Sequence, residues 1–325
     1  MTSVQPSTER TMCSAASRHV GEDPAGSVPS WDACLLVEVP PPWSAEVMDS
    51  PAFPRDLREV LAEAEGAGVA PRVQALLPDP EYSAEGRLRL MYVTRPEGMF
   101  SHLDRADYLV PHDRARELLQ ALLLRREHVS RYEVYRQAGE GLRDLLVCTH
   151  GSRDACCGRF GYELYRHLRE RHAGPGLRVW RTSHTGGHRF APNVIDLPEG
   201  RYWARMDAEA VAELLRRDRP AAELARHYRG WAGVLTPFEQ VAEREMLSLQ
   251  GWEWVDFEKR SRVLSLEDDG RRAHVRVDFL SPAGDAGAYD AVVEEAGTVT
   301  VPSCLSGGPP GEAPVYRLLR FWRSA

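Results

Sequence analysis

The chain has 325 residues, a formal charge of −7 and 43% hydrophobic residues, which is enough to bury a substantial core in two or three domains. Its mixed charges form no basic stripe for nucleic acid, and no apolar run approaches the length of a membrane span, so neither partner is expected. Residues 1–28 are polar and small, without the apolar core of a secretion signal, which predicts a flexible tail on a cytoplasmic protein.

Ala33 to Val39 is an apolar run closed by Pro40-Pro41-Pro42, the pattern of a first strand. Pro54 to Glu65 has helical periodicity through Leu57, Val60 and Leu61. Strands are predicted over Arg72 to Leu77 and Leu88 to Thr94, then a helix from about Arg114 to Arg126 carrying Leu118, Leu119, Leu122 and Leu123. The order then repeats. Leu145 to Cys148 reads as a strand, Gly158 to His172 as a helix, and Leu177 to Thr182 as a second strand. Val194 to Leu197 and Tyr202 to Met206 pair across Pro198-Glu199-Gly200, and Ala208 to Arg217 is a helix. A helix returning between parallel strands, with a hairpin at the far edge, is the thioredoxin order. The chain is therefore expected to be an α/β protein with two related units, of which only the second kept ligands.

From Thr236 the texture changes. Thr236-Pro237-Phe238-Glu239 has the capping-box pattern with proline at the first helical position, so a helix should run to about Gln250. The alternating segments Trp252 to Arg260, His274 to Phe279 and Tyr289 to Val301 read as an antiparallel sheet. The expected organisation is a tail at 1–28, an N-terminal α/β unit at 29–140, a second α/β unit with the site at 141–232, and an α+β domain at 233–325. The last carries no catalytic constellation and reads as a structural or partner-binding domain. Lys259, the only lysine among many arginines, reads as a matter of composition.

The chemistry concentrates between Cys148 and His188. Cys148 and Cys157 are separated by eight residues, and His184 and His188 by three, of which Gly186 and Gly187 are two. Two thiolates and two imidazoles form a complete ligand set for zinc or for a 2Fe-2S cluster. A structural zinc knuckle usually holds two to four residues between its cysteines, so the wider gap suits a loop around something larger than one ion. Gly-Gly opposes a helix and lets the backbone approach a ligand closely. Cys148-Thr149-His150 mimics half of a Rieske motif, but no cysteine has a histidine three residues on. Six unevenly spaced cysteines in all suit reduced thiols and a cofactor better than a disulfide framework.

Cys-x8-Cys followed by His-x-Gly-Gly-His, with Arg153-Asp154 in the first gap and Arg189-Phe190-Ala191-Pro192-Asn193 after the last histidine, resembles the sucrase/ferredoxin-like family. These proteins are also called thioredoxin-like ferredoxins. Cys13-Ser14, Leu35-Leu36-Val37-Glu38 and Pro42-Trp43 are similar to further family landmarks, whereas Ala204 stands where glycine is expected. The resemblance implies a thioredoxin-like ferredoxin domain whose 2Fe-2S cluster has Cys148 and Cys157 on one iron and His184 and His188 on the other. It leaves Cys156 as a spare thiol and places Pro192 where thioredoxins keep a cis proline. The implied function is one-electron transfer with redox partner proteins, a reductase or an acceptor. With two ferric ions, two sulfides, two thiolates and two neutral imidazoles the oxidised centre is formally uncharged, which eases reduction; Rieske centres with the same ligand set span roughly −150 to +300 mV. Proton uptake at the second imidazole nitrogens is expected to accompany reduction. Arg153, Arg181 and Arg189 lie near enough in sequence to stabilise the reduced state. Sucrose hydrolysis would need two facing carboxylates, and no pair can be nominated. The competing reading is a zinc-stabilised binding module using the same four ligands.

Overall fold

The computed structural model describes residues 12–139, 141–301 and 311–324. Helix α1 (Cys13–His19) precedes strand β1 (Ala33–Glu38), helix α2 (Arg55–Gly66) and strands β2 (Arg72–Leu76), β3 (Arg87–Thr94) and β4 (Asp104–Pro111), followed by α3 (His112–Leu124). The second unit has β5 (Arg143–Cys148), α4 (Tyr162–Arg171), β6 (Leu177–Thr182), β7 (Val194–Leu197), β8 (Arg201–Trp203), α5 (Ala208–Arg216) and β9 (Tyr228–Trp231). In the first unit β1 is parallel to β2 and antiparallel to β3, which is antiparallel to β4. In the second, β5 is parallel to β6 and antiparallel to β7, which is antiparallel to β8. These strands of the two units thus share one order and one set of senses.

A single nine-stranded mixed sheet, β4-β3-β1-β2-β6-β5-β7-β8-β9, runs through both units. Its halves meet where β2 touches β6 through one paired position, Leu76 opposite Thr182. Alternation along the strands gives each half two apolar faces. Leu35 and Val37 face the core under α2 and α3, whereas Cys34 and Leu36 meet Leu146, Ile195, Leu197 and Tyr202 of the other half. The sheet therefore doubles back on itself at the narrow β2/β6 junction. Its inner faces also carry charge: Asp144 accepts from Arg178 Nε at 2.7 Å and from Trp180 Nε1 at 2.7 Å, and it pairs with Arg105. Arg178 reaches Asp107 at 2.9 Å, and Arg89 pairs with Asp107 at 2.5 Å. β3 and β4 are thereby tied to β5 and β6 across the fold.

Helix α6 (Pro237–Gln250) begins at the expected capping box, where Thr236 Oγ1 accepts from the Glu239 N–H and Glu239 from the Thr236 N–H. It packs on a four-stranded antiparallel sheet of β10 (Glu258–Glu267), β11 (Arg272–Leu280), β12 (Ala286–Val301) and β13 (Gly311–Ser324). Trp252 to Val255 lies in a 3₁₀ turn before β10, because Trp254 turns inward against Phe257, Phe279 and Tyr289. The sequence did not predict β4, β9 or β13; Asp, Arg and Pro within β4 and β13 hide their alternation. Cys304 lies outside the described residues. Among the described residues no helix is long and apolar enough to cross a membrane.

The expectation of a flexible tail over 1–28 is corrected from residue 12 onward. Cys13, Ser14 and Ser17 occupy the buried face of α1. Hydropathy misses such a helix because its partners are polar: Ser17 Oγ donates to Glu22 at 2.6 Å and accepts from Arg205 at 2.9 Å.

Lys259 has a structural role that composition alone conceals. It is fully buried, and its Nζ donates to the carbonyls of Trp254 (2.6 Å), Val255 (3.2 Å) and Phe257 (2.5 Å). Burial pushes its ammonium from 10.5 down to about 7. The unfolded chain keeps that proton until near pH 10.5, whereas the folded chain releases it above 7. The penalty for holding the charge is therefore complete below pH 7 and is relieved as pH rises, by up to about 1.4 kcal/mol per pH unit. Denaturant unfolding between pH 7.5 and 9.5 should show stability rising more steeply in the wild type than in Lys259→Met. Parallel profiles would contradict the assignment.

Candidate metal centre

β5 is buried through Leu145, Leu146 and Val147 and delivers Cys148, fully buried, at its carboxyl end. The chain then loops to Cys157, which opens a π-helical turn over Cys157–Gly161 before α4. Such turns interrupt α-helices mostly where function needs the extra residue. Glycine is required here by close backbone approach. A Cβ on Gly161 would lie 1.9 Å from the Cys148 carbonyl oxygen, and one on Gly158 would lie 2.7 Å from Gly151 Cα. Asp154 caps the turn by accepting from the Cys156 N–H at 2.8 Å.

The histidine loop follows β6. Gly186 and Gly187 have φ of +82° and +64°, after which a 3₁₀ turn spans His188–Phe190. A side chain at Gly187 would be strained by the positive φ and would displace Arg229, since a Cβ there would lie 2.7 Å from Arg229 Nη2. The loop is held from three directions. The His184 N–H donates to His150 Nδ1 at 3.1 Å, and His150 Nε2 donates to the Ser44 carbonyl at 2.8 Å. Burial keeps the His150 pKa below its ordinary value, which suits the neutral ring that this pattern requires. Gln74 and Arg72, both on β2 of the first unit, donate to the His184 carbonyl at 3.3 Å. Arg229 donates to the Gly186 carbonyl at 3.0 Å, and Asn193 donates to the Gly187 carbonyl at 2.9 Å. Arg229 is fully buried, and burial lowers its pKa to about 10, so it remains a cation at neutral pH.

Cys148, Cys157 and His184 form one group whose donor atoms all lie within 4.8 Å of one another. His184 Nδ1 is 3.9 Å from Cys148 Sγ and 3.8 Å from Cys157 Sγ. The Cys157 S–H donates to Cys148, which holds the Cys148 thiol well below its ordinary pKa, and His184 acts in the same sense. The same hydrogen bond, with burial, raises Cys157. His188 stands next to this group, its ring centroid 6.1 Å from that of His184. Its Nδ1, however, is 3.1 Å from both Asp154 Oδ2 and Cys13 Sγ, and Cys13, Asp154 and His188 form a second set of donors within 4.8 Å. The four residues singled out in the sequence thus reach the same end of the sheet, three in one group and the fourth in its neighbour.

Of the arginines expected to serve the site, Arg153 pairs with Glu46, and Arg189 pairs with Glu22 at 2.6 Å. Arg181 donates to Thr149 Oγ1 at 3.3 Å and lies over the Tyr162 ring. Arg72 and Arg229 are cations that do touch the histidine loop, at the His184 and Gly186 carbonyls, and neither carries a signal in the sequence. Where glycine was expected at Ala204, the left-handed conformation falls one residue later, on Arg205, with φ of 52°. The Ala191–Pro192 bond beside the site is cis.

The model of the family described as sucrase/ferredoxin-like matches residues 24–230, more than half of the chain. The chain belongs to the sucrase/ferredoxin-like family. Comparison with curated proteins and with solved structures finds no match. The family match ends within β9. It covers the nine-stranded sheet of this sucrase/ferredoxin-like protein and both ligand loops, and it leaves out α1, α6 and the four-stranded sheet.

Proposed function

We propose that this sucrase/ferredoxin-like protein is a one-electron carrier with a 2Fe-2S cluster held by Cys148, Cys157, His184 and His188. The observation that carries the reading is the convergence of two buried sulfurs and an imidazole within 4.8 Å at the strand ends, with His188 beside them. The donor set fits the group, since thiolate and imidazole are the ligands such clusters take. When bound, the cluster supplies a site that accepts and returns one electron.

The protein's own residues prepare that site. The hydrogen bond from Cys157 lowers the pKa of the Cys148 thiol and so favours loss of its proton, which iron binding requires. Asp154 faces His188 Nδ1 at 3.1 Å, the place of the outer carboxylate that orients a ligating histidine and leaves Nε2 for the metal. Arg229 brings a fixed positive charge to the loop that joins the two histidines, where it favours the reduced state. Beside His184 a cavity of about 650 Å³ is lined by Ser27, Arg72, His150, Arg153 and Ser183, among others. It offers a polar approach for a redox partner. A second reading, a zinc-stabilised binding module, is favoured by the three mutually close donors, which would fill three positions around one tetrahedral ion.

The purified protein decides between them. A red-brown oxidised protein with about two irons and two acid-labile sulfides per chain, bleached on reduction, is the expected result. A colourless protein with one equivalent of zinc would replace this function with the second reading.

A further inference from the structure

Cys13 and Cys156 are 143 residues apart in the chain, yet their sulfurs lie 3.3 Å from each other, and both side chains are fully buried. We propose that these two cysteines form an oxidation site of their own, a dithiol that a hydroperoxide converts to a disulfide between α1 and the ligand loop.

Cys13 Sγ also lies 3.1 Å from His188 Nδ1, and the Cys157 S–H donates to Cys148, so the described cysteines near the site fall into two sulfur pairs. Cys148 and Cys157 are engaged with His184. Cys34 sits apart on β1, 3.9 Å from Gln74 Oε1, and burial pushes its thiol up to about 12, which makes it inert. Cys156 also accepts from Ser14 Oγ at 3.3 Å, so two consecutive residues of α1 hold its sulfur in place. The sulfurs need to close by roughly 1.2 Å to reach the length of an S–S bond. Helix α1 is short, and it packs on the 3₁₀ turn that begins with His188.

A second observation points to a small-molecule reactant. Phe160 and Ala191, which pack with Cys13 and Cys156, also line an open cavity of about 650 Å³ together with Ser14 and Ala15. The dithiol therefore lies just behind a cavity wall. In the reaction both S–H bonds break and the S–S bond forms. The O–O bond of the hydroperoxide breaks, its oxygens take the two electrons, and the two protons leave with them as alcohol and water. The product tethers α1 to the segment carrying Cys157 and holds it against the His188 turn. This modification goes beyond the electron-carrier reading, and it requires that Cys13 stay a thiol and not serve as a donor with Asp154 and His188.

The test uses the full chain, treated with hydrogen peroxide, unfolded in an alkylating reagent and mapped by mass spectrometry. The expected result is the loss of two alkylatable thiols and a peptide linked through Cys13 and Cys156, restored to two separate peptides by dithiothreitol. Amide exchange across α1 should slow in the linked form. Cys13→Ser and Cys156→Ser should each lose the link. Retention of both thiols at peroxide levels that oxidise exposed methionines would overturn the proposal, as would a link from Cys156 to Cys157 instead.

Discussion

Cys157→Ser is expected to empty the proposed metal centre, lowering iron and sulfide content at least about tenfold, because thiolate is the stronger ligand and, among the described residues, no other sulfur belongs to the group of Cys148 and His184. Cys148→Ser should behave alike. Substitution at the histidines should act differently: His184→Cys or His188→Cys retains a coloured centre but lowers its potential, because each added thiolate puts a negative charge on the ligand set. Metal analysis, absorption spectra and voltammetry on the four variants check this. Full occupancy and an unchanged potential in Cys157→Ser would refute the assignment and shift attention to Cys156, whose sulfur faces α1 instead.

Asp144→Ala should cost about 3–5 kcal/mol of folding stability, the usual result of removing one partner from a buried charge cluster. Asp144 is fully buried, and Arg105 and Arg178, its ionic partners, have side chains only 6% and 10% exposed, so neither guanidinium can turn to water. The Trp180 N–H loses its acceptor as well. Arg178 retains Asp107 at 2.9 Å, which limits the loss on its side, whereas among the described residues Arg105 keeps the Gly139 carbonyl at 2.8 Å. Urea unfolding compared with the wild type measures the difference. Asp144→Asn should fall between them, because one carbonyl oxygen and the shape survive but the charge does not. A loss below about 1 kcal/mol for Asp144→Ala would mean that the network contributes little beyond solvation.

The C-terminal sheet shows how local pattern can mislead about where a strand begins. Trp252 to Arg260 alternates well enough to read as one strand, yet its first half is a turn, because Trp254 buries its ring in the aromatic cluster beneath α6 and donates to Glu243 at 2.9 Å. Period-two alternation reports which residues are buried, not the backbone path that buries them.

By itself the sequence determined what depends on neighbours along the chain. Period-two and period-3.6 patterns placed β1, β5, β6, α2 and α4, the capping box placed α6, and Cys-x8-Cys with His-x-Gly-Gly-His placed the donor loops at the ends of β5 and β6. Close spacing and glycine leave a local trace because they constrain a few adjacent residues. Only the tertiary structure decided what surrounds those loops. Cys13 reaches Asp154 across 141 residues, Arg229 reaches the Gly186 carbonyl across 43, and Arg105 meets Asp144 because the sheet doubles back at β2 and β6. Each of these contacts joins polar residues that look like surface positions in the sequence. They are buried because a partner of complementary charge or hydrogen-bonding capacity comes from a distant segment, and such pairing leaves no periodic signal in the chain.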